Sequence, residues 1–195
     1  PRNFAKGVIP HGTTTVVTDP HEIANVCGME GVRYMHEAGD GLPMRQLIDI
    51  PSCVPAVPGL ENAGAEFFAK EVEELSSMER VIGLAEVMDF LAVIHGEDRM
   101  MDIIDVMDKK GLYLQGHAPS VSGRMLSAYL CGGPNTCHES RERNEALEKL
   151  RSGMYVDARE SSITKNVEEI CEGVKGVRFF GHFCLCTDDR EADDI

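Results

Sequence analysis

Val81-Ile82-Gly83-Leu84-Ala85-Glu86-Val87 is a short apolar run carrying one carboxylate, Glu86, near its end, and a helix-like stretch follows it. Three more units share this plan. Gln115-Gly116-His117-Ala118-Pro119, Thr136-Cys137-His138-Glu139 and Cys186-Thr187-Asp188-Asp189 each close a β-prone run and offer a metal-ligand side chain, His117, His138 and Asp188. In a barrel of parallel strands the C-terminal end of each strand faces a common rim, where side chains distant in sequence converge. The pattern predicts an α/β chain of the (β/α)8 TIM-barrel type and a metal-dependent hydrolase.

The surrounding chain keeps a strand-then-helix rhythm. Thr13 to Thr18 reads as a strand and His21 to Ala38 as a helix. The next pairs are strand Gln46 to Val54 with helix Ala65 to Leu75, and strand Val81 to Val87 with the amphipathic stretch Asp98 to Lys109. Leu112 to Gly116 leads into His117, and Ser122 to Leu130 follows with a serine at its N-cap. Asn135 to His138, Glu142 to Arg151, Tyr155 to Arg159, Thr164 to Val174 with a threonine cap, and Val177 to Cys186 complete the series. Seven strands and six intervening helices without a linker predict one domain over residues 1–195. An open doubly wound sheet would show the same rhythm. Against it, no Gly-x-Gly-x-x-Gly and no Gly-x-x-x-x-Gly-Lys-Ser/Thr follows any strand.

The 195 residues fall short of the roughly 250 of a complete barrel. The chain starts at Pro1, and residues 191–195 read as a helix onset cut short. The expectation is an internal fragment covering strands 2 to 8, truncated at strand 1 and at the end of the barrel.

A formal charge of -14, from 19 basic and 33 acidic residues, disfavours nucleic acid and anionic membranes and suits a small neutral molecule. Seven cysteines without a Cys-x-x-Cys pair suggest a reduced, cytoplasmic chain, and no apolar run is long enough for a membrane span.

Histidine and carboxylate ligands suit zinc, manganese or iron, and a carboxylate can bridge two ions. Glu86 fits that role or that of an ion-paired rim residue. His117 is a ligand or a structural histidine, His138 a ligand or part of an ordinary turn, and Asp188 with Asp189 a ligand site or a helix cap. Their joint occurrence favours the metal.

Further segments carry a family resemblance: Pro10-His11-Gly12-Thr13-Thr14-Thr15, Asp19-Pro20-His21-Glu22-Ile23-Ala24-Asn25-Val26, Pro51-Ser52-Cys53-Val54-Pro55-Ala56, Gly116-His117-Ala118-Pro119, the stretch from Glu145 to Tyr155, and Cys186-Thr187-Asp188-Asp189-Arg190. In this order they resemble the adenine deaminases of the amidohydrolase superfamily. The resemblance implies a paired-metal site holding manganese or iron, with zinc as the alternative, in which Glu86 is the bridging carboxylate and His117, His138 and Asp188 are further ligands. A His-x-His pair of strand one would precede Pro1, and none occurs in the chain. The implied reaction is hydrolytic deamination of adenine to hypoxanthine and ammonia by a metal-bridged hydroxide, in a purine-salvage enzyme that forms a homo-oligomer at full length. Asp188 would carry the proton.

His21 and Glu22 would line the substrate pocket, support the ligands from behind or start the helix; Arg159 and Glu160 would contact substrate or form a buried salt bridge; Asp189 would join the pocket or back the ligands. Cys137, Gln115 and Glu191 stand where the resemblance leads one to expect Asp, Asp and His. These departures leave open another aminopurine or a cyclic amide as substrate, and the missing pair leaves open an inactive fragment acting as an interaction module.

Overall fold

The structure, a computed structural model, describes residues 1–191 and 194. The helix onset expected at the end rests mainly on Ala192, Asp193 and Ile195, which lie outside the described residues.

Seven parallel strands are present among the described residues. Thr15–Thr18 (β1), Arg45–Ile50 (β2), Val81–Val87 (β3) and Tyr113–Gly116 (β4) form one sheet in sequential order. Thr136–Cys137 (β5), Tyr155–Arg159 (β6) and Phe183–Cys186 (β7) form a second. Three bonds bridge the sheets: Asn135 N–H donates to the Leu114 carbonyl at 3.4 Å, Gly116 N–H to Thr136 Oγ1 at 2.8 Å, and the Thr136 hydroxyl to Gln115 Oε1 at 3.0 Å. A doubly wound sheet would reverse its strand order at a switch point. Strictly sequential parallel strands are instead those of a TIM-type barrel. No strand pairing joins β7 to β1 among the described residues, so the barrel is not closed.

Helices cover the outer face. His21–Glu37 (α2), Ala69–Leu75 (α3), Asp98–Lys109 (α5), Gly123–Cys131 (α6), Arg143–Arg151 (α7) and Val167–Gly173 (α8) occupy the expected intervals. Two others carry no expectation from sequence. Arg2–Val8 (α1) packs Ala5 and Val8 on Met44. Phe90–His95 (α4) precedes α5 and starts at Asp89, whose Oδ1 accepts the Ala92 N–H at 3.1 Å.

The outer core gathers Ile48, Ile50, Leu84 and Val87 against Val72, Ile103 and Met107. Each fully buried Ile or Leu is worth about 1.5–3 kcal/mol of transfer free energy. Asp98–Lys109 keeps its expected bounds because Met100, Ile103, Ile104 and Met107 recur at helical spacing and are all buried.

Two expected caps are not made. Ser122 stands at the N-cap of α6 without a side-chain bond, and Glu148 Oε1 on α7 accepts the Gly123 N–H instead, at 2.7 Å. Helix α8 begins at Val167 rather than Thr164, whose N–H and carbonyl are taken up by Ser161 Oγ at 2.8 and 3.0 Å. The last strand is shorter than its apolar run suggests. Only Phe183–Cys186 is paired with β6, and the residues from Val177 to His182 are irregular, ending in a turn at Gly181 and His182.

Candidate metal centre

Alternation along a strand would place Leu84 and Glu86 on the same face. The ladder between β3 and β4 prevents this. Leu84 pairs with Leu114 and Val87 with Gly116, three steps against two, so β3 carries a bulge. The extra residue sends Leu84 and Val87 into the outer core and turns Glu86 to the inner face. Gly116 has no room for a side chain, because a Cβ there would collide with the Thr136 carbonyl, and the next residue is His117. Tyr129, fully buried on α6, fixes that residue: its hydroxyl accepts the His117 N–H at 2.9 Å and donates to the Val87 carbonyl at 3.3 Å.

Three expected ligands meet. Glu86 Oε2 lies 2.5 Å from His117 Nδ1 and 3.2 Å from His138 Nε2. One ligand atom from each of the three residues falls within 4.8 Å of the others. The imidazoles of His117 and His138 stand edge to face with centroids 5.6 Å apart. Burial pushes the Glu86 carboxyl up, but bonds and charge from the two histidines hold it far below the usual carboxylate range. Burial lowers His138, and Glu86 more than reverses that.

Asp188 is not a member of that group. It forms an adjoining group with His138 and Glu139, again within 4.8 Å, and its backbone holds a φ of 53°. Arg159 ends β6 and pairs with both Glu139 and Asp188. Arg159 thus forms a largely buried salt bridge with two carboxylates. Its guanidinium is raised despite burial, because two carboxylates face it.

His21 begins α2. Its Nδ1 is 3.1 Å from Asp19 Oδ2 and 3.8 Å from Glu86 Oε1, and its Nε2 is 3.3 Å from Glu22 Oε1. Burial lowers the imidazole, but the bond to Asp19 and the surrounding carboxylates raise it to about 9. Asp189 has its carboxyl raised by burial and by the charges of Asp188 and Glu22. Glu160 makes only backbone bonds among the described residues, its N–H donating to the Cys186 carbonyl at 3.0 Å.

Asp19, Cys53 and Asp49, to which the sequence reading gave no role, complete the rim with His21. Asp19, His21 and Cys53 make a third group of ligand atoms within 4.8 Å. Asp49 is buried on the inner face of β2 with Oδ1 unbonded, and burial together with the Asp19 charge pushes it up to about 7. Asp19 and Cys53 had a signal, since Asp19 directly follows one expected strand and Cys53 is next to last in another. Asp49 sits inside a strand and gave none.

A cavity of about 620 Å³ lies at the other end of β6 and β7, lined in part by Leu150, Val177, Phe179 and His182. It offers one histidine and no carboxylate, so the chemistry belongs to the rim. All seven cysteines are free, and no helix among the described residues is long and apolar enough to cross a membrane.

Sequential parallel strands with histidine and carboxylate side chains at their C-terminal ends define a TIM-type barrel with candidate metal ligands on its rim. The chain belongs to the amidohydrolase family, whose model matches residues 1–194. It is 40% identical over 195 residues to adenine deaminase of Clostridium acetobutylicum, 43% over 196 residues to adenine deaminase 2 of Carboxydothermus hydrogenoformans and 44% over 197 residues to adenine deaminase of Bacillus licheniformis. Each match takes in 100% of the chain and 34% of the relative. The chain therefore spans about a third of the length of these curated relatives.

Proposed function

We propose that this chain supplies the metal-binding rim of an enzyme that hydrolyses adenine to hypoxanthine and ammonia. The observation that carries the reading is the meeting of Glu86, His117 and His138, from three different strands, around one point. Relatives over the whole chain that bear the name adenine deaminase support the substrate.

The donor set fits a divalent cation. One ionised carboxylate and two imidazoles, all largely buried, are borderline ligands suited to manganese, iron or zinc. We assign two ions, manganese or iron, held by Glu86, His117, His138 and Asp188, with ligands outside this chain completing the pair. Bound there, such ions supply a water acidified towards neutral pH and positive charge for the oxygen developing on the purine.

The chain's own residues do the rest. Asp188 is placed to accept a proton at its carboxylate and pass it to the ring or the leaving amine, and Arg159 holds that carboxylate from one side. His21, oriented by Asp19 and close to Glu86, presents an N–H at the rim towards substrate. Glu22 and Asp189 keep the mouth acidic, which favours a neutral base over a phosphorylated one. We place the protein in the cytoplasm as a homo-oligomer, with residues 1–195 as part of a single barrel domain.

Full-length protein loaded with manganese or iron should release ammonia from adenine. Metal-loaded protein that leaves adenine intact overturns the reading. Faster turnover of another aminopurine would reassign the substrate and keep the centre.

A further inference from the structure

One buried charged side chain has no part in this chemistry. Lys149, on α7, has no exposed surface. Its Nζ lies 2.7 Å from the Ala118 carbonyl, 3.1 Å from Ser140 Oγ, 3.2 Å from Cys137 Sγ and 2.6 Å from Glu145 Oε1. Ala118 follows His117, and Cys137 precedes His138. A single amine thus reaches the immediate chain neighbours of both histidines.

Glu145 extends the same tie. Its Oε1 also accepts the Ser120 N–H at 2.8 Å, and its Oε2 accepts the Arg141 N–H at 3.1 Å. Ser120 lies in the loop after β4, and Arg141 in the loop after β5. Lysine and glutamate, one helical turn apart on α7, therefore grip both histidine-bearing loops from behind. Burial pushes the Glu145 carboxyl up, but Lys149 and the two backbone N–H groups pull it below the usual range.

A methionine would fill the space of Lys149 without the desolvation cost of a buried amine. What lysine adds is directional: a compact head whose donors can serve several acceptors at once. Those acceptors belong to two separate strand ends. We propose that Lys149, with Glu145, is a positioning clamp that sets the spacing of His117 and His138 for a shared cation. The proposal rests on the metal-centre reading above, and it assigns Lys149 no contact with metal or substrate.

The test uses full-length protein and Mn²⁺ as the probe. Lys149→Met should lose amide-exchange protection in both loops together, at Ser120 and Arg141, whose N–H groups donate to Glu145. It should bind Mn²⁺ about 10- to 100-fold more weakly, as expected when a group supporting a metal ligand is removed. Saturating Mn²⁺ should restore kcat with KM for adenine unchanged. Ile104→Ala, in the outer core, serves as the control for simple destabilisation: it should lower Tm and leave Mn²⁺ affinity unaltered.

If Lys149→Met does not fold, Glu145→Gln, which removes the charge and keeps the shape, should show the same effects to a smaller degree. Variants that lose stability while both loops stay protected, or that bind Mn²⁺ as tightly as wild type, would overturn the clamp. Wild-type protein that binds no Mn²⁺ would bring down the metal-centre reading and the clamp with it. Loop exchange read alongside binding tells the two failures apart.

Discussion

Behind β1–β4 the helices bury a broad apolar cluster that includes Ile48, Ile50, Leu84, Val87, Ile103 and Met107. Behind β6 and β7 the corresponding cluster has only Ala146, Val156, Ala158 and Ile170 at its centre, and Leu185 on β7 is exposed. The second half is tied instead by polar side chains. Arg159 pairs with Glu139 and Asp188, and Asn166 accepts the Arg159 N–H at 2.6 Å while donating to the Ser140 carbonyl at 2.7 Å. The centre straddles the two halves: Glu86 and His117 come from the apolar half, and His138 and Asp188 from the polar one. The sheet behind Glu86 and His117 is thus held mainly by packing, and the strands behind His138 and Asp188 mainly by directional bonds.

Substitutions can break this contrast, and they should do so unequally. Leu84→Ala should cost about 2–5 kcal/mol in denaturant unfolding, because a fully buried leucine leaves a cavity between sheet and helices. Ile50→Ala should behave alike. Arg159→Met should cost less, about 1–3 kcal/mol, since Glu139 loses its buried partner while the more exposed Asp188 is screened by water. Its larger effect should be on activity, measured as kcat on adenine, through a displaced Asp188. Equal losses of stability from the two substitutions would erase the distinction between the halves.

Tyr129→Phe sharpens the comparison at the seam. It removes the acceptor of the His117 N–H and should cost about 1–3 kcal/mol, seen as a lowered unfolding midpoint. The smallest expected effect is acid sensitivity of the polar half. The Glu145 carboxyl is depressed below 4.5 in the folded state, so its contribution is complete above that pH and is lost as pH falls through the lower folded value. Glu145→Gln should flatten the stability-pH curve in that window alone, with no change near neutrality in the slope.

Much of this was legible in the sequence because the signals were local. Strand ends at Val87, Gly116 and Cys186 and the helix over Asp98–Lys109 follow from apolar runs and periodicity. The orientation of Glu86 was not legible. Alternation pairs it with Leu84, and only the bulge, a property of two strands in register, reverses it. The caps at Ser122 and Thr164 are not made: Glu148 from α7 takes up the first N–H of α6, and Thr164 is held in a turn with Ser161 ahead of α8. Lys149 stands among charged neighbours on a helix and reads as a solvated residue. Its burial depends on loops that arrive from β4 and β5.

The central claim is that Glu86, His117 and His138 hold one ion in common. Anomalous diffraction from crystals of the full-length protein grown with manganese, recorded on either side of the manganese absorption edge, addresses it without relying on turnover. The expected result is a peak in contact with all three side chains that disappears in Glu86→Gln. Peaks confined to other surfaces, with the Glu86 carboxylate still bonded directly to His117, would contradict it.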